Sequence, residues 1–315
     1  MDALKEKIDT LRRERNAVIL AHYYTDSDVQ DIADFVGDSL ALSQRAATTD
    51  ADVILFAGVH FMGETAKILS PRKTVLMPDM AAGCSLADSC PADEFAAFIA
   101  ANPGRTVISY VNTTAEVKAL TDIVCTSSNA VEIVRSLPPD EPILFGPDRN
   151  LGNYIRNITG RENMLVWDGA CHVHEEFSLE KILELKQAYP HAKVLTHPEC
   201  KRPIVLISDY VGSTAGLLKY AVNDTSTDTY IVVTEPGVLH QMRLAAPGKT
   251  FIPAPPTDAA CGCNNCSFMK LVTLPKIAAA LETLQPEIVI PEETRRRAEG
   301  SIRRMLEISE RLGLV

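Results

Sequence analysis

Three stretches of the 315-residue chain repeat one another: DFVGDSLAL at 34–42, DIVCTSSNA at 122–130 and DYVGSTAGL at 209–217. Each opens on Asp and places a hydroxyl residue five positions later, at Ser39, Ser127 and Thr214, spaced 88 and 87 residues apart. Seventeen residues before each hydroxyl, an apolar run leads into a polar ring: His22 after AVILA, Tyr110 after TVIS, His197 after KVLT. A second apolar run follows in each unit (DVILFAG, PILFGPD, YIVVTEP), leading to Met62-Gly63, Leu151-Gly152 and Leu239-His240. Each unit then reaches a cysteine behind a small residue, at Gly83-Cys84, Ala170-Cys171 and Ala260-Cys261, and enters an amphipathic stretch. Ordered columns at a constant spacing mark internal repetition.

Short apolar runs alternating with amphipathic stretches are the signature of parallel sheets with crossover helices. The expected fold is α/β: three similar three-layer α/β/α domains with parallel sheets, arranged around a pseudo-threefold axis and a central cavity. The first domain, with an N-terminal helix, covers 1–103, the second 104–191 and the third 192–285. A helical segment at 286–315 is expected to pack on the first domain.

Ligands of open parallel sheets sit at the carboxyl ends of the strands, where helix N-termini face the same crevice. His22, Tyr110 and His197 fall at such ends. Ser39, Ser127 and Thr214 read as helix N-caps, beside free N–H groups that hold phosphate or carboxylate. Around a pseudo-threefold axis the three crevices converge, and one cysteine from each unit meets the others.

The N-terminal MDALKEKIDTLRRERN is a charged amphipathic helix without the apolar core of a signal peptide. No apolar run approaches the roughly 20 residues of a membrane span, and the expected location is the cytoplasm. Structural disulfides are unexpected there, so eight cysteines need another account. Three converging thiolates suggest a metal. Structural zinc would take a fourth protein ligand, whereas a [4Fe–4S] cluster held by three leaves one iron open to act as a Lewis acid. With 41 acidic against 31 basic residues the chain is a poor nucleic-acid binder, and RRRAEGSIRRML near the C-terminus reads as a docking or solvated helix face.

The segments AHYYTDSDVQDIADFVGDSLALS, VILFAGVHFMGETAKIL, MPDMAAGCSLADSC, YVNTTAEVKALTDIVCTSSNA, FGPDRNLGNYI, WDGACHVHEEF, THPEC and CNNCSFMKLVTL together resemble the quinolinate synthase family, in order and over nearly the whole chain. The resemblance implies three similar domains around a central [4Fe–4S] cluster with three cysteine ligands and one open iron. It implies condensation of iminoaspartate (iminosuccinate) with dihydroxyacetone phosphate to quinolinate, with release of phosphate and two waters, in de novo NAD biosynthesis. It also implies small-molecule substrates, coupling to an L-aspartate oxidase or dehydrogenase, and no nucleic-acid or membrane partner.

Carried over by motif, the cluster ligands are Cys84, Cys171 and Cys266. The repeat alone would select Cys261, and the family moves the third ligand five residues on. In much of the family a proline follows that cysteine. Ser267 stands here, and the CxCxxC spacing gives little support to a Cys261–Cys263 disulfide. Substrate-binding positions fall on His22, Ser39, Tyr110, Asn112, Ser127, His197, Glu199 and Thr214.

Of these, Glu199 is the expected general base and acid, Tyr24 and Tyr110 proton or hydrogen-bond donors, and His22 and His197 oxygen holders or proton relays. Tyr23 is expected to pack, His172 and His174 to sit behind the ligands, and Lys201 and Arg202 to lie in a solvated loop. Cys90, Cys125 and Cys200 read as buried free thiols. Two other classes compete: an iron–sulfur redox or oxygen sensor, and a zinc-dependent hydrolase built on CGCNNC and CHVH.

Overall fold

The computed structural model describes residues 2–258 and 264–314. Twelve strands form three four-stranded sheets, every pairing parallel. The first holds β1 (Ala17–His22), β2 (Phe35–Gly37), β3 (Val53–Ala57) and β4 (Thr74–Leu76), in the order β2-β1-β3-β4. The second, ordered β6-β5-β7-β8, holds β5 (Thr106–Tyr110), β6 (Ile123–Cys125), β7 (Ile143–Gly146) and β8 (Met164–Val166). The third, ordered β10-β9-β11-β12, holds β9 (Lys193–Thr196), β10 (Tyr210–Val211), β11 (Thr229–Val233) and β12 (Thr250–Pro253). The expected three-sheet α/β architecture is the one observed.

The register repeats with the order. Leu20 faces Phe35 and Phe56; Ile108 faces Ile123 and Phe145; Leu195 faces Tyr210 and Val232. The Asp that opens each motif explains part of this constancy. The carboxylates of Asp34, Asp122 and Asp209 each accept the N–H of Ile19, Val107 or Val194 at 2.8 Å. Their own N–H groups donate back to the same three residues at 2.9 to 3.0 Å. This column therefore clasps the second strand of each sheet to the first and leaves the ligand crevice to others.

Most strand residues are buried, as sheets covered on both faces require. The covering helices are passed round the ring. Phe95, on the helix Ala92–Ala101 after the first unit's cysteine, packs with Val107 and Leu144 of the second sheet. Ile182, on Leu179–Ala188, packs with Val194, Ile231 and Val233 of the third. Ile277 and Leu281, on Leu274–Thr283, join the core of Ile19 and Ile54 in the first. Each such side chain contributes about 1.5–3 kcal/mol by burial, so every sheet depends on its neighbour's helix.

The helix Glu292–Arg311 lies across the junction of the first and second units. Ser301 Oγ donates to Lys118 O at 2.9 Å, and Asn129 Nδ2 donates to Ser309 Oγ at 3.0 Å. Part of its basic run is paired within the helix, Arg295 and Arg296 with Glu292 and Arg295 and Arg303 with Glu299. Among the described residues no helix is long and apolar enough to cross a membrane.

Candidate active site

A sheet ordered 2-1-3-4 has its topological switch between the first and third strands, and the crevice opens beyond their carboxyl ends. His22 and Tyr110 close β1 and β5, and His197 follows β9 by one residue. The three crevices open into one cavity. All three rings line it, as do Tyr24, Asn112 and Glu199, the hydroxyl residues Ser39, Ser127 and Thr214, and the thiol residues Cys84, Cys171 and Cys266. Every sequence-derived site residue is thus brought to one space. Arg202 instead lines a separate outer cleft, and Tyr23 packs against the core of the third sheet. The expectations placed on Cys261 and Cys263 lie outside the described residues.

The hydroxyl column needs a correction. Ser39 and Thr214 are the first residues of the helices Ser39–Thr48 and Thr214–Asn223; the caps are their predecessors, Asp38 and Ser213. In the second unit Asn129 holds the cap position, and Ser127 lies in the turn before it. Freed from capping, these hydroxyls point to other partners: Thr214 Oγ1 meets Tyr24 OH at 2.7 Å, and Ser127 Oγ meets His197 Nε2 at 3.2 Å. The residues beside them tie the units together, since Ser128 Oγ donates to Asp38 Oδ2 at 2.6 Å and meets Ser213 Oγ at 2.8 Å.

Glu199 is the centre of the polar wall. Tyr110 OH donates to its Oε1 at 2.6 Å, and His174 Nδ1 stands 3.0 Å from its Oε2. The His174 contact has ion-pair distance without the alignment of a hydrogen bond. His174 Nε2 reaches Thr234 Oγ1 at 3.0 Å, and its ring stacks on His197 at 4.7 Å. Burial pushes the Glu199 carboxyl up. The charges of His174 and His197 and the bond from Tyr110 outweigh it and hold the group below the ordinary glutamate range. Burial also drives His197 down to about 3. His22, buried and near His197, is likewise lowered to about 3. Both rings are therefore neutral at physiological pH, hydrogen-bonding groups rather than cations. Burial raises Tyr24 and Tyr110 well above the usual phenol value, leaving both as donors.

The same cavity carries the three thiols. Cys84 and Cys171 are N-cap residues of the short helices Ser85–Asp88 and His172–Glu175, and Cys266 precedes the turn Met269–Leu271. Burial pushes Cys84 up to about 12, Cys266 to about 11 and Cys171 well above the normal thiol value. Backbone amides of Ala87, Met269 and His174 pull against it. Three free thiols that only a cation would turn into thiolates, each with an amide to support the charge, fit a thiolate-bound metal group. Asn112 Oδ1, buried with no hydrogen-bond partner among the described residues, fits a donor on a bound molecule.

Sequence reasoning undervalued His174 and missed Glu235. His174 sits one helical turn past Cys171, a spacing the CHVH string displays. Glu235 occupies the same place after β11 as Asp148 after β7 and Val59 after β3, a strand-end position that the repeat could have flagged. It is fully buried, and burial raises it to about 7 although Lys270 pulls it down. Cys171, His174 and Glu199 also bring one ligand atom each within 4.8 Å of the others. Cys90, Cys125 and Cys200 are buried, free and away from the cavity.

Three parallel sheets around a cavity lined by three thiols and a buried carboxylate define an α/β protein whose central site fits a thiolate-bound metal group. Residues 6–307 match the family model described as quinolinate synthetase A protein. The quinolinate synthase of Thermosynechococcus vestitus is 59% identical over 302 residues, covering 96% of this chain and 94% of that one. That of Synechococcus sp. (strain ATCC 27144) is 58% identical over 306 residues, covering 97% and 95%. The chain belongs to the quinolinate synthetase A family of enzymes.

Proposed function

We propose that the chain condenses iminoaspartate with dihydroxyacetone phosphate to quinolinate, releasing phosphate and two waters, as the ring-forming step of NAD biosynthesis in the cytoplasm. One observation carries the reading: a thiol from each of the three units and the Glu199 network open on the same cavity. Cys84, Cys171 and Cys266 would hold a [4Fe–4S] cluster. Its open iron, when bound, supplies a Lewis acid for a substrate carboxylate or hydroxyl in the dehydration steps.

The chain's own residues do the rest. The helix starts at Ser39 and Thr214, with the Ser127 turn, hold the carboxylates and phosphate of the substrates. Glu199 accepts a proton as general base and returns it as acid, its position fixed by Tyr110 and His174. Tyr24 and Tyr110 donate to developing oxyanions as neutral phenols, and Asn112, His22 and His197 orient the carbonyl and imine groups. Iminoaspartate hydrolyses readily, so an L-aspartate oxidase or dehydrogenase supplies it.

Anaerobic purification and assay test this. Brown protein with about four irons and sulfides per chain, forming quinolinate from the two substrates, is the expected result. The Cys171, His174 and Glu199 atoms favour one competing reading, a zinc hydrolase. Colourless protein with about one zinc that makes no quinolinate would favour it and also remove the sensor reading.

A further inference from the structure

Glu235 lines the cavity, is fully buried, and has no part in the chemistry above. Its Oε2 accepts the N–H of Gly237 at 2.6 Å. Its Oε1 accepts the N–H of Cys266 at 3.4 Å and lies 3.1 Å from Lys270 Nζ. Lys270 stands four residues beyond Cys266 and bonds back to it, N–H to Cys266 O, at 3.2 Å. The same ammonium donates to Tyr24 O at 2.8 Å and sits 3.3 Å from Asp26. One ion pair therefore touches three pieces of chain: the end of β11, the Cys266 loop, and the turn after β1.

The units are in close contact there. A Cβ on Gly237 would lie 2.7 Å from Tyr23 O and 2.8 Å from the Tyr24 Cα, so the third unit's turn rests directly on the first unit's backbone. A buried ion pair adds little net stability compared with apolar packing but fixes geometry, because a displaced partner leaves a buried charge uncompensated. Cys84 and Cys171 take their positions as caps of short helices. Cys266 has only a single helical turn three residues on, so its loop is the one that needs an external hold.

We propose that Glu235 and Lys270 are positioning residues for the third thiol, locking the Cys266 loop to the third sheet and to the first unit's turn. Cys266 then faces the cavity only while those two units are docked. The inference rests on the reading of Cys266 as a metal ligand.

The test uses full-length protein reconstituted anaerobically with iron and sulfide, followed by the rate of iron release to a ferrous chelator and by the optical spectrum. Glu235→Gln and Lys270→Met should each release iron at least about tenfold faster than wild type, the scale of one charge-assisted hydrogen bond. Lys270→Arg should recover most of the loss, and the thermal midpoint of metal-free Glu235→Gln, where Lys270 keeps Asp26 and Tyr24 O, should stay near wild type. Glu235→Gln alone decides the matter if Lys270→Met does not fold. Cys266→Ala is the control. If it binds no iron while Glu235→Gln and Lys270→Met release iron at the wild-type rate, the positioning pair is overturned and the cluster reading stands. If Cys266→Ala keeps a wild-type iron content, the ligand reading fails and takes this proposal with it.

Discussion

On one wall of the cavity Glu199 meets Tyr110 at 2.6 Å and His174 at 3.0 Å, and His174 is held in turn by Thr234. Beside this network three thiols, each from a different unit, line the same cavity unpaired, and burial holds them as neutral S–H groups. The polar wall is built from protein groups alone, Glu199 with Tyr110 as its donor and His174 beside it. On the proposed reading the thiol wall takes a cluster, since buried thiols become thiolates only beside a cation. One wall should therefore survive metal removal unchanged, and the other should not.

The largest effect should come from breaking the thiol wall. Cys84→Ala, Cys171→Ala and Cys266→Ala should each bind no stable cluster and form no detectable quinolinate, checked by iron analysis and product assay under anaerobic conditions. Their circular dichroism should match metal-free wild type, since Ala keeps the backbone and Cβ at each position. Cluster retention in any one of the three would remove that residue from the wall.

Breaking the polar wall should separate chemistry from metal binding. Glu199→Gln keeps an acceptor for Tyr110 but cannot take up a proton. Iron content should stay at the wild-type level while turnover falls by about 10² to 10⁴, the range of a lost general base. Turnover within a factor of two of wild type would show that proton transfer runs elsewhere on the cavity.

How much of this was legible beforehand differs by feature, and the differences have physical causes. The sheets were legible because period and spacing are properties of the chain itself: an apolar run ends at a ring, and a hydroxyl follows seventeen residues on. The cap positions were misplaced by one residue, because Asp38 and Ser213 are themselves good caps and the repeat does not say which of two adjacent polar residues turns inward. The third thiol escaped column counting, since the chain between β12 and the helix Leu274–Thr283 carries extra residues. A small residue before Cys261 mimicked the other units, and only the family motif pointed to Cys266. Nor could amphipathicity reveal the circular exchange of helices: it shows that a helix has a partner sheet, and not which one.

That exchange offers a way to disturb the scaffold without touching either wall. Phe95 crosses from the first unit to the second, where its ring packs edge-on to Trp167 at 5.6 Å and would meet a Cβ on Gly146 at 2.8 Å. Phe95→Ala should cost about 3–5 kcal/mol of stability, read by denaturant unfolding. Below the transition, iron content and turnover should remain near wild type. A loss of cluster at full folding would mean that the second sheet's packing reaches the thiol wall.

The smallest effect tests whether the repeat's most faithful column belongs to the site at all. Asp34, Asp122 and Asp209 recur in all three units, yet each spends its carboxylate on a strand N–H at 2.8 Å, away from the cavity. Of the three, Asp122 is the cleanest to probe, since it has no salt bridge among the described residues, whereas Asp34 pairs with Arg12 and Asp209 with Lys186. Asp122→Ala removes one partly buried hydrogen bond at the edge of β6 and should cost about 1 kcal/mol, a shift of a few degrees in thermal midpoint. Turnover and iron content should be unchanged. A tenfold fall in turnover at full folding would place the column in the chemistry and erase the division between scaffold and walls. A stability loss alone would show that repetition in this column preserves a way of joining strands, apart from the chemistry proposed for Glu199.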